Sequence, residues 1–409
     1  MRILLVTHYF PPETGAPQER LSALAATWAA DGDNVTVLTG MPNHPTGVVP
    51  PEYRGAIRRR ERRDGYRVVR TWVYATPNEG IARKTLGHLS FMISSLLLGS
   101  RPCGPADVVV VSSPTFFSIG AAWLLARRKR ARLVVEVRDL WPAIFVELGV
   151  LTNRAVISLL ERLELAAYAA ADAIIVVSDG FRANLIGRGV PPGKVHTIRN
   201  GVALGQFDPG SAASPVVRAR LGARPGDCLV LYLGTHGISQ ALPGVADAAA
   251  RLNGQAIHFA FVGEGADKPR LRSRVGELGL ANVSLHPGVP HCDVPTLLAA
   301  ADICLAPLRF VPLFVTFIPS KIFEYLGAGK AVVGAVAGEA AQILREAGAD
   351  VVPPEDSDAL ADAIRALAAD PERRQAMGRQ GRAYVEVSFD RVALAREYRK
   401  ILQTAGGRR

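Results

Sequence analysis

The sequence predicts an α/β protein built from two doubly wound domains in tandem. Three observations carry this. The chain has 409 residues, more than a single hydrophobic core usually organises. Short β-branched runs alternate with Ala/Leu-rich stretches of helical spacing, the pattern of a parallel sheet covered on both faces. The alternation breaks at a Gly/Ala/Ser/Pro stretch, "RNGVALGQFDPGSAASPVV" (199–217), and then starts again. The boundaries expected are 1–200, 201–388 and a final amphipathic helix within 389–409.

In the first half the expected strands are "RILLVTHY" (2–9), "NVTVLTG" (34–40), "RVVRTWVY" (67–74), "DVVVVSS" (107–113), "RLVVEVRD" (132–139), "DAIIVVSD" (172–179) and "KVHTIRNG" (194–201). Residues 18–32 place Leu21, Leu24, Ala25 and Trp28 on one helical face, and Gly32 ends that helix. A longer helix is expected over 151–171. In the second half, strands are expected at 228–235, 257–265, 282–288, 301–308, 331–336 and 349–355, with helices between them. The tail "FDRVALAREYRKILQ" (389–403) lines up Val392, Ala395, Tyr398 and Ile401.

Composition excludes several classes. Apolar residues make up 49% and charged residues 21%, so the chain is globular and not disordered. The net charge of +11 favours anionic partners. Its Arg-rich runs, 58–63 and 127–132, lack interleaved aromatics, which argues against nucleic acid. The cysteines Cys103, Cys228, Cys292 and Cys304 are scattered without a CxxC, so a reducing cytosol is the default. The short apolar run after Arg2 reads as a first strand and not as a signal peptide. The stretch "LGHLSFMISSLLLG" (86–99) is shorter than a membrane span. Flanked by Arg83, Lys84 and Arg101, it reads as a half-buried helix or as one lying on an anionic membrane.

Ligands of doubly wound sheets bind beyond the carboxyl ends of the strands, and two tandem domains with facing ends would share a cleft. The loops there are therefore the candidates. After the first strand, "HYFPPETGAPQER" sets Gly15 and Pro17 before a helix, an anion-binding arrangement. After the strand at 132–139 come Arg138, Asp139 and Trp141. In the second half, "LGTHGISQAL" offers Gly234, Thr235, His236 and Gly237, and "VGEGADKPRL" offers Gly263, Glu264 and Gly265. A lone G-x-G is weak evidence and lacks the third glycine of a dinucleotide fingerprint. "HPGVPHC" holds His286, His291 and Cys292 without a second ligand pair at zinc spacing, so it reads as a solvated turn and no metal is expected.

The stretch "FIPSKIFEYLGAGKAVV" (317–333) carries two charges inside apolar surroundings. Such charges are costly unless paired or used. Ser320 reads as an N-cap, with Ile322, Phe323 and Leu326 on the apolar face. Lys321 and Glu324 then share the other face, and a nucleotide would suit them: phosphate on Lys321 and the helix start, ribose on Glu324.

These residues bring a resemblance into view. "PSKIFEYLGAGKAVV", "HYFPPETGAPQER", "VTVLTGMPNHPTG", "VRDLWP", "VSDGF" and "IRNGV" occur in the order seen in retaining GT-B glycosyltransferases of family four. "PPETGAPQER" and "PNHPTG" further resemble a bacterial surface-polysaccharide branch that uses nucleotide-activated N-acetylated amino sugars. The resemblance implies two Rossmann-like domains around an interdomain cleft. The first would bind the glycosyl acceptor, through Glu13, Asn43, His44, Arg138 and Trp141. The second would bind the donor, through Gly234, Thr235, His236, Gly263, Glu264, Arg270, Pro319, Ser320, Lys321 and Glu324, with Gly15 added from the first.

Glu324 matches the second carboxylate of the family's E-x7-E motif. The first falls on Thr316. The Arg/Lys pair that many members place in the first loop of the second domain is absent from "GTHGISQAL". The resemblance thus implies that Lys321, the helix start at Ser320, and Arg270 meet the diphosphate, with Lys321, Glu324 and Asp139 nearest the chemistry. It implies a UDP-linked hexosamine donor, a polyprenyl-linked or soluble acceptor, and no metal or other cofactor. The chain is expected to be cytoplasmic, either free or peripheral to the inner membrane through 81–101, where the basic flanks lie. The alternatives are a tandem α/β nucleotide-sugar epimerase and a non-catalytic nucleotide-sugar-binding protein.

Overall fold

The computed structural model of the chain describes residues 1–44, 46–76, 81–112, 116–211 and 213–406. Pro45 of "PNHPTG", the last residue of the run 107–113, Ala212 of the linker stretch, the side chain of Lys84 and the last three residues lie outside the described residues. The chain forms two compact units: Met1–Arg199 with Arg391–Arg409, and Asn200–Asp390.

The first unit is built on β1 (Arg2–Val6), β2 (Asn34–Gly40), β3 (Arg58–Arg63), β4 (Tyr66–Thr71), β5 (Val108–Ser112), β6 (Arg132–Val137), β7 (Ala173–Val176) and β8 (Val195–Thr197). They form one sheet in the order β3-β4-β2-β1-β5-β6-β7-β8. All neighbours are parallel except β3 with β4. The central strands are apolar along their length because helices cover both faces.

β3 is a departure from the sequence reading. "RRRERR" has no β-branched residue to announce a strand. Its pairing with β4, from Arg58↔Thr71 to Arg63↔Tyr66, makes it one. Tyr53 lies under the guanidinium groups of Arg59 and Arg70, and Glu61 pairs with Arg70. A charged edge of this kind discourages further strand addition.

The helix Ala16–Ala30 buries Leu21, Leu24, Ala25 and Trp28, the face read from spacing. The C-terminal helix Arg391–Gly406 packs on it. Trp28 Nε1 donates to the Ala395 carbonyl at 2.8 Å, and the Trp28 and Tyr398 rings meet edge-to-face at 5.3 Å. Arg399 holds Asp33. The buried face is Ala395, Tyr398 and Leu402, while Val392, expected on it, is exposed. The expected face was turned too far toward the helix start, because Leu402, one turn beyond Tyr398, completes the stripe. A buried polar network ties the same layer together. Arg20 reaches Glu136 and the carbonyls of Ile198 and Arg199, and Ser112 donates to Glu136.

Residues 86–99 are helical, as Ile81–Ser94 followed by a π turn, Ser95–Gly99. Phe91, Ser94, Ser95 and Gly99 face inward. Leu86, Ile93 and Leu97 face outward, Leu97 with 73% of its surface exposed. No helix among the described residues is long and apolar enough to cross a membrane.

The second unit carries β9 (Cys228–Leu233), β10 (Ile257–Val262), β11 (Val283–His286), β12 (Ile303–Pro307), β13 (Ala331–Ala335) and β14 (Asp350–Val352). The sheet is wholly parallel, in the order β11-β10-β9-β12-β13-β14. Chain order runs one way from β9 through β10 and the other way from β12 through β13. The reversal lies between β9 and β12, where a doubly wound sheet leaves a crevice. In the first unit the same reversal lies between β1 and β5.

Candidate active site

In the second unit three segments converge at that reversal: the loop after β9, the loop after β10, and the helix Lys321–Gly327 that precedes β13. The helix is anchored as its spacing predicts. Ile322, Phe323, Tyr325 and Leu326 are buried, and Phe323 stacks on Phe389 at 4.7 Å. Loss of one such buried side chain costs about 2–5 kcal/mol. Tyr325 also pins the end of β9: its hydroxyl donates to the Leu233 carbonyl at 3.0 Å and accepts from the Leu233 amide at 3.1 Å.

Lys321 leaves this anchored helix toward the β9 loop. Its Nζ lies 3.7 Å above the centre of the Tyr232 ring, a cation–π contact. It is buried and has no hydrogen-bond partner. Burial pulls its pKa down to about 7, opposed in part by Glu324. Gly234 makes room for it. With φ +136°, Gly234 could carry no side chain without strain, and a Cβ would lie 3.0 Å from Lys321 Nζ.

His236 lies two residues further on and is fully buried. Neither Nδ1 nor Nε2 makes a hydrogen bond of good geometry, although the Val262 carbonyl lies beside the ring and pulls its pKa slightly up. Burial, then Lys268 and Lys321, hold its pKa down at about 4, so the ring is neutral near pH 7. Its backbone is tied to the β10 loop, with the His236 amide donating to the Glu264 carbonyl and the Asp267 amide donating to the His236 carbonyl, both at 2.9 Å. The two loops touch so closely that a Cβ on Gly263 would lie 1.8 Å from the Gly234 carbonyl oxygen. A neutral imidazole always presents one donor and one acceptor. A buried ammonium and a buried imidazole are a standing cost, and a bound anion lowers it by accepting from the ammonium and from the imidazole N–H.

Glu324 does not pair with Lys321. It meets His291 Nε2 at 3.2 Å, from the short 3-10 turn His291–Asp293. The "HPGVPHC" turn is thus more than a solvated connection: it orients the carboxylate. Among the described residues no group of His, Cys, Asp and Glu is arranged to hold a metal ion.

Other expected residues stand differently. Ser320 occupies the N-cap position in a helical conformation, and its side chain caps nothing. The expected capping serine is corrected to that extent, since capping needs an extended backbone. Thr316 turns its hydroxyl onto the Leu313 carbonyl at 2.7 Å. Pro319 is half-buried, Thr235 exposed, and Arg270 exposed on the helix Lys268–Glu277. The cation that does enter the β10 loop is Lys268. Its Nζ donates to the carbonyls of Gly263 and His286 and to Glu264, each at 2.8 Å. Glu264 is exposed and spent on that pair. The i, i+4 spacing of Glu264 and Lys268 was the available signal for it.

In the first unit, Glu13 is buried and serves as a brace. Its carboxylate accepts from the amides of Asn43 and His44 at 2.8 Å and of Phe10 at 3.0 Å. Burial raises its pKa and these hydrogen bonds lower it. Asn43 spends its side-chain amide on the Met41 carbonyl. Gly15 caps the helix Ala16–Ala30 with φ +153° and no side-chain cap. Arg138 Nε is buried without a partner, burial lowers the Arg138 pKa, and burial raises that of Asp139 against the pull of Arg138. Trp141 packs edge-to-face on Phe145 at 5.7 Å.

Comparison with known proteins decides the class. Residues 15–201 match the glycosyl transferase 4-like domain, and residues 214–384 match glycosyl transferases group 1. The chain belongs to the GT-B glycosyltransferases of family four. Among its relatives in this family is the Escherichia coli K12 protein assigned to colanic acid biosynthesis as the glycosyl transferase WcaI. That protein is 27% identical, over 97% of this chain and 98% of its own. A GDP-mannose-dependent alpha-(1-6)-phosphatidylinositol monomannoside mannosyltransferase of Mycobacterium tuberculosis H37Rv is also 27% identical, over 95% of this chain and 94% of its own. Among solved structures, Anabaena HepE in complex with UDP and glucose has the same fold, with TM-score 0.71 and 18% identity over 99% of this chain and 100% of that one. Both models that match this glycosyltransferase are of glycosyl transferases, and the epimerase alternative finds no support in them.

Proposed function

We propose that the chain transfers a sugar, with retention at the anomeric carbon, from a nucleoside diphosphate to a hydroxyl acceptor. One observation carries the reading. At the strand-order reversal of the second unit, Lys321 Nζ is buried without a partner beside Gly234, and the buried His236 ring makes no hydrogen bond of good geometry beside Gly263. A diphosphate supplies an acceptor for Lys321 Nζ and for the one N–H of the neutral His236 ring. Its oxygens accept from Lys321 and from an imidazole N–H, and Glu324, steadied by His291, accepts from ribose hydroxyls. Negative charge grows on the diphosphate as the glycosidic bond breaks, and donors already aimed there lower the barrier. Lys321 and His236 take the place of the Arg/Lys pair missing from the loop. The donor site so built needs no metal. The leaving phosphate takes the acceptor's proton on the same face, which gives retention without a carboxylate nucleophile.

The donor is a UDP-linked N-acetylated hexosamine, a reading supported by the resemblance of "PPETGAPQER" and "PNHPTG" to the amino-sugar branch. The acceptor is polyprenyl-linked and is met at the cytoplasmic face of the inner membrane. Leu86, Ile93 and Leu97 form an outward apolar ridge, with Arg127 stacked over the Trp123 ring and Arg128 donating to the Leu96 carbonyl. Apolar side chains beside cations suit an anionic lipid surface. Vesicles containing phosphatidylglycerol should pellet the protein, and salt should reverse this. Replacing all three ridge residues with asparagine should abolish it. Equal pelleting with neutral vesicles would overturn the assignment.

The functional test is a single-turnover assay with labelled donors chosen by a thermal-shift screen of UDP, GDP, dTDP and their sugars. Transfer that survives a chelator supports the reading; loss of all transfer with chelator sinks its metal-free part. Glu324→Ala should raise the donor KM about tenfold to a hundredfold, the loss of a charged hydrogen bond, while the fold is kept. Unchanged donor affinity by calorimetry would remove Glu324 from the site.

A further inference from the structure

One face of the edge strand β3 carries charge that no described residue balances. Side chains alternate along a strand, and directly opposed residues of an antiparallel pair share a face. The pairs Arg58↔Thr71, Arg60↔Val69 and Arg62↔Arg67 therefore lie on one face of β3 and β4. Arg59, Glu61, Arg63 and Arg70 lie on the other. There the charges are matched. Glu61 meets Arg59 at 3.7 Å and Arg70 at 3.0 Å, and Asp64, from the turn that follows, meets Arg63 at 3.7 Å. The first face has no such match. Arg58, Arg60, Arg62 and Arg67 are all exposed. Among the described residues none of the four meets a carboxylate; Arg67 donates to Thr36 Oγ1 at 2.9 Å, a neutral partner. Like charges directly opposite each other destabilise a strand pair, so Arg62 facing Arg67 is a cost that a bound anion lowers.

The same side of the sheet carries the helix Ile81–Ser94 and its π turn. Leu38 pairs in register with Val69 and so shares its face. A Cβ on Gly99 would lie 2.5 Å from Leu38 Cδ1, which seats the π turn on that face. Lys129 donates to the carbonyls of Ser100 and Gly104, just beyond the turn. Burial pushes the Cys103 thiol up to about 12, and Lys129, Arg67 and Arg60 all pull against it, which gathers these cations around one point. The outward ridge of Leu86, Ile93 and Leu97 rises from the same helix and turn. From Arg58 to Arg62 the row spans about 14 Å of strand. That is longer than one diphosphate and suits several phosphates in an array. No aromatic residue stands on this face for a base to stack on, which disfavours a nucleic acid.

We propose that the arginine face of β3 and β4 docks on the phosphates of an anionic bilayer, with Arg58, Arg60, Arg62 and Arg67 as the electrostatic half of a membrane contact whose apolar half is the ridge. This rests on the membrane reading of the ridge and adds a second element to it. A variant combining Arg58→Gln, Arg60→Gln and Arg62→Gln removes three charges from an exposed edge and touches no donor residue. Its partition onto phosphatidylglycerol vesicles should fall on the order of a hundredfold, roughly fivefold per arginine. Its melting temperature and nucleotide affinity should match the wild type. A variant combining Arg58→Lys, Arg60→Lys and Arg62→Lys keeps the charge and should keep the pelleting. If the glutamine variant pellets like the wild type while the ridge variant does not, the proposal falls and the ridge reading stands. If the wild type does not pellet at all, both fall. Loss of pelleting in the lysine variant also overturns the proposal, because charge is then not what the face supplies. Displacement of the wild type by micromolar inorganic tripolyphosphate at fixed ionic strength would assign the row to a soluble polyanion and overturn the bilayer assignment.

Discussion

Replacing Lys321 with methionine should stabilise the ligand-free protein and abolish donor binding. Methionine keeps the unbranched stem over the Tyr232 ring and removes a buried Nζ that has no hydrogen-bond partner. A buried unsatisfied polar group costs about 1–3 kcal/mol, more if charged. For a domain of this size each kcal/mol moves the melting temperature by about 2–4 °C. The gain should depend on pH in a defined direction. The folded pKa is about 7, against about 10.4 in the unfolded chain. Between these values the unfolded chain binds the extra proton, so wild-type stability rises with pH by at most about 1.4 kcal/mol per unit. Below pH 7 the cost of Lys321 is present in full. The advantage of the methionine variant should therefore be largest below pH 7 and shrink toward pH 10. Melting curves across that range check it, and a variant that melts lower at every pH would contradict it.

Donor affinity should fall about tenfold per pH unit above pH 7. A bound diphosphate returns Lys321 to its ordinary charged state, so binding above pH 7 must take up a proton. Below pH 7 the lysine is already charged and affinity should level off. A nucleotide-sugar diphosphate does not titrate in this window, and the ligand-free His236 ring, held near 4, is already neutral there. The onset of the slope at pH 7 is set by Lys321, whose ligand-free pKa is the one that falls there. Titrations with a nucleotide sugar from pH 6 to 9 measure it, and a flat profile would show that Lys321 does not meet the diphosphate.

Much of this was legible in the sequence, because apolar periodicity determines which strands are buried and which helical faces point inward. The tandem doubly wound pattern, the buried face of Ala16–Ala30 and the apolar face behind Lys321 all follow from spacing alone. What was not legible depends on contacts across the chain. β3 exists because β4 offers a partner, not because "RRRERR" favours a strand. His291 reaches Glu324 from a turn more than thirty residues away. Lys268 reads as one more surface charge until its three acceptors are seen. Ser320 has the residue type of a cap and the backbone of a helix. The two charges in "PSKIFEYL" were conspicuous in sequence, but their separation was not. Lys321 turns inward to Tyr232, and Glu324 turns to His291.

The most direct measurement is calorimetric titration of the wild-type chain and of Lys321→Met with UDP, GDP and dTDP at pH 8. Two buffers of different ionisation heat are used. One nucleotide should bind the wild type with an enthalpy that differs between buffers, corresponding to uptake approaching one proton per site. Lys321→Met should bind none of them. Equal affinity of the two proteins, or wild-type binding without proton uptake, would contradict the Lys321 assignment.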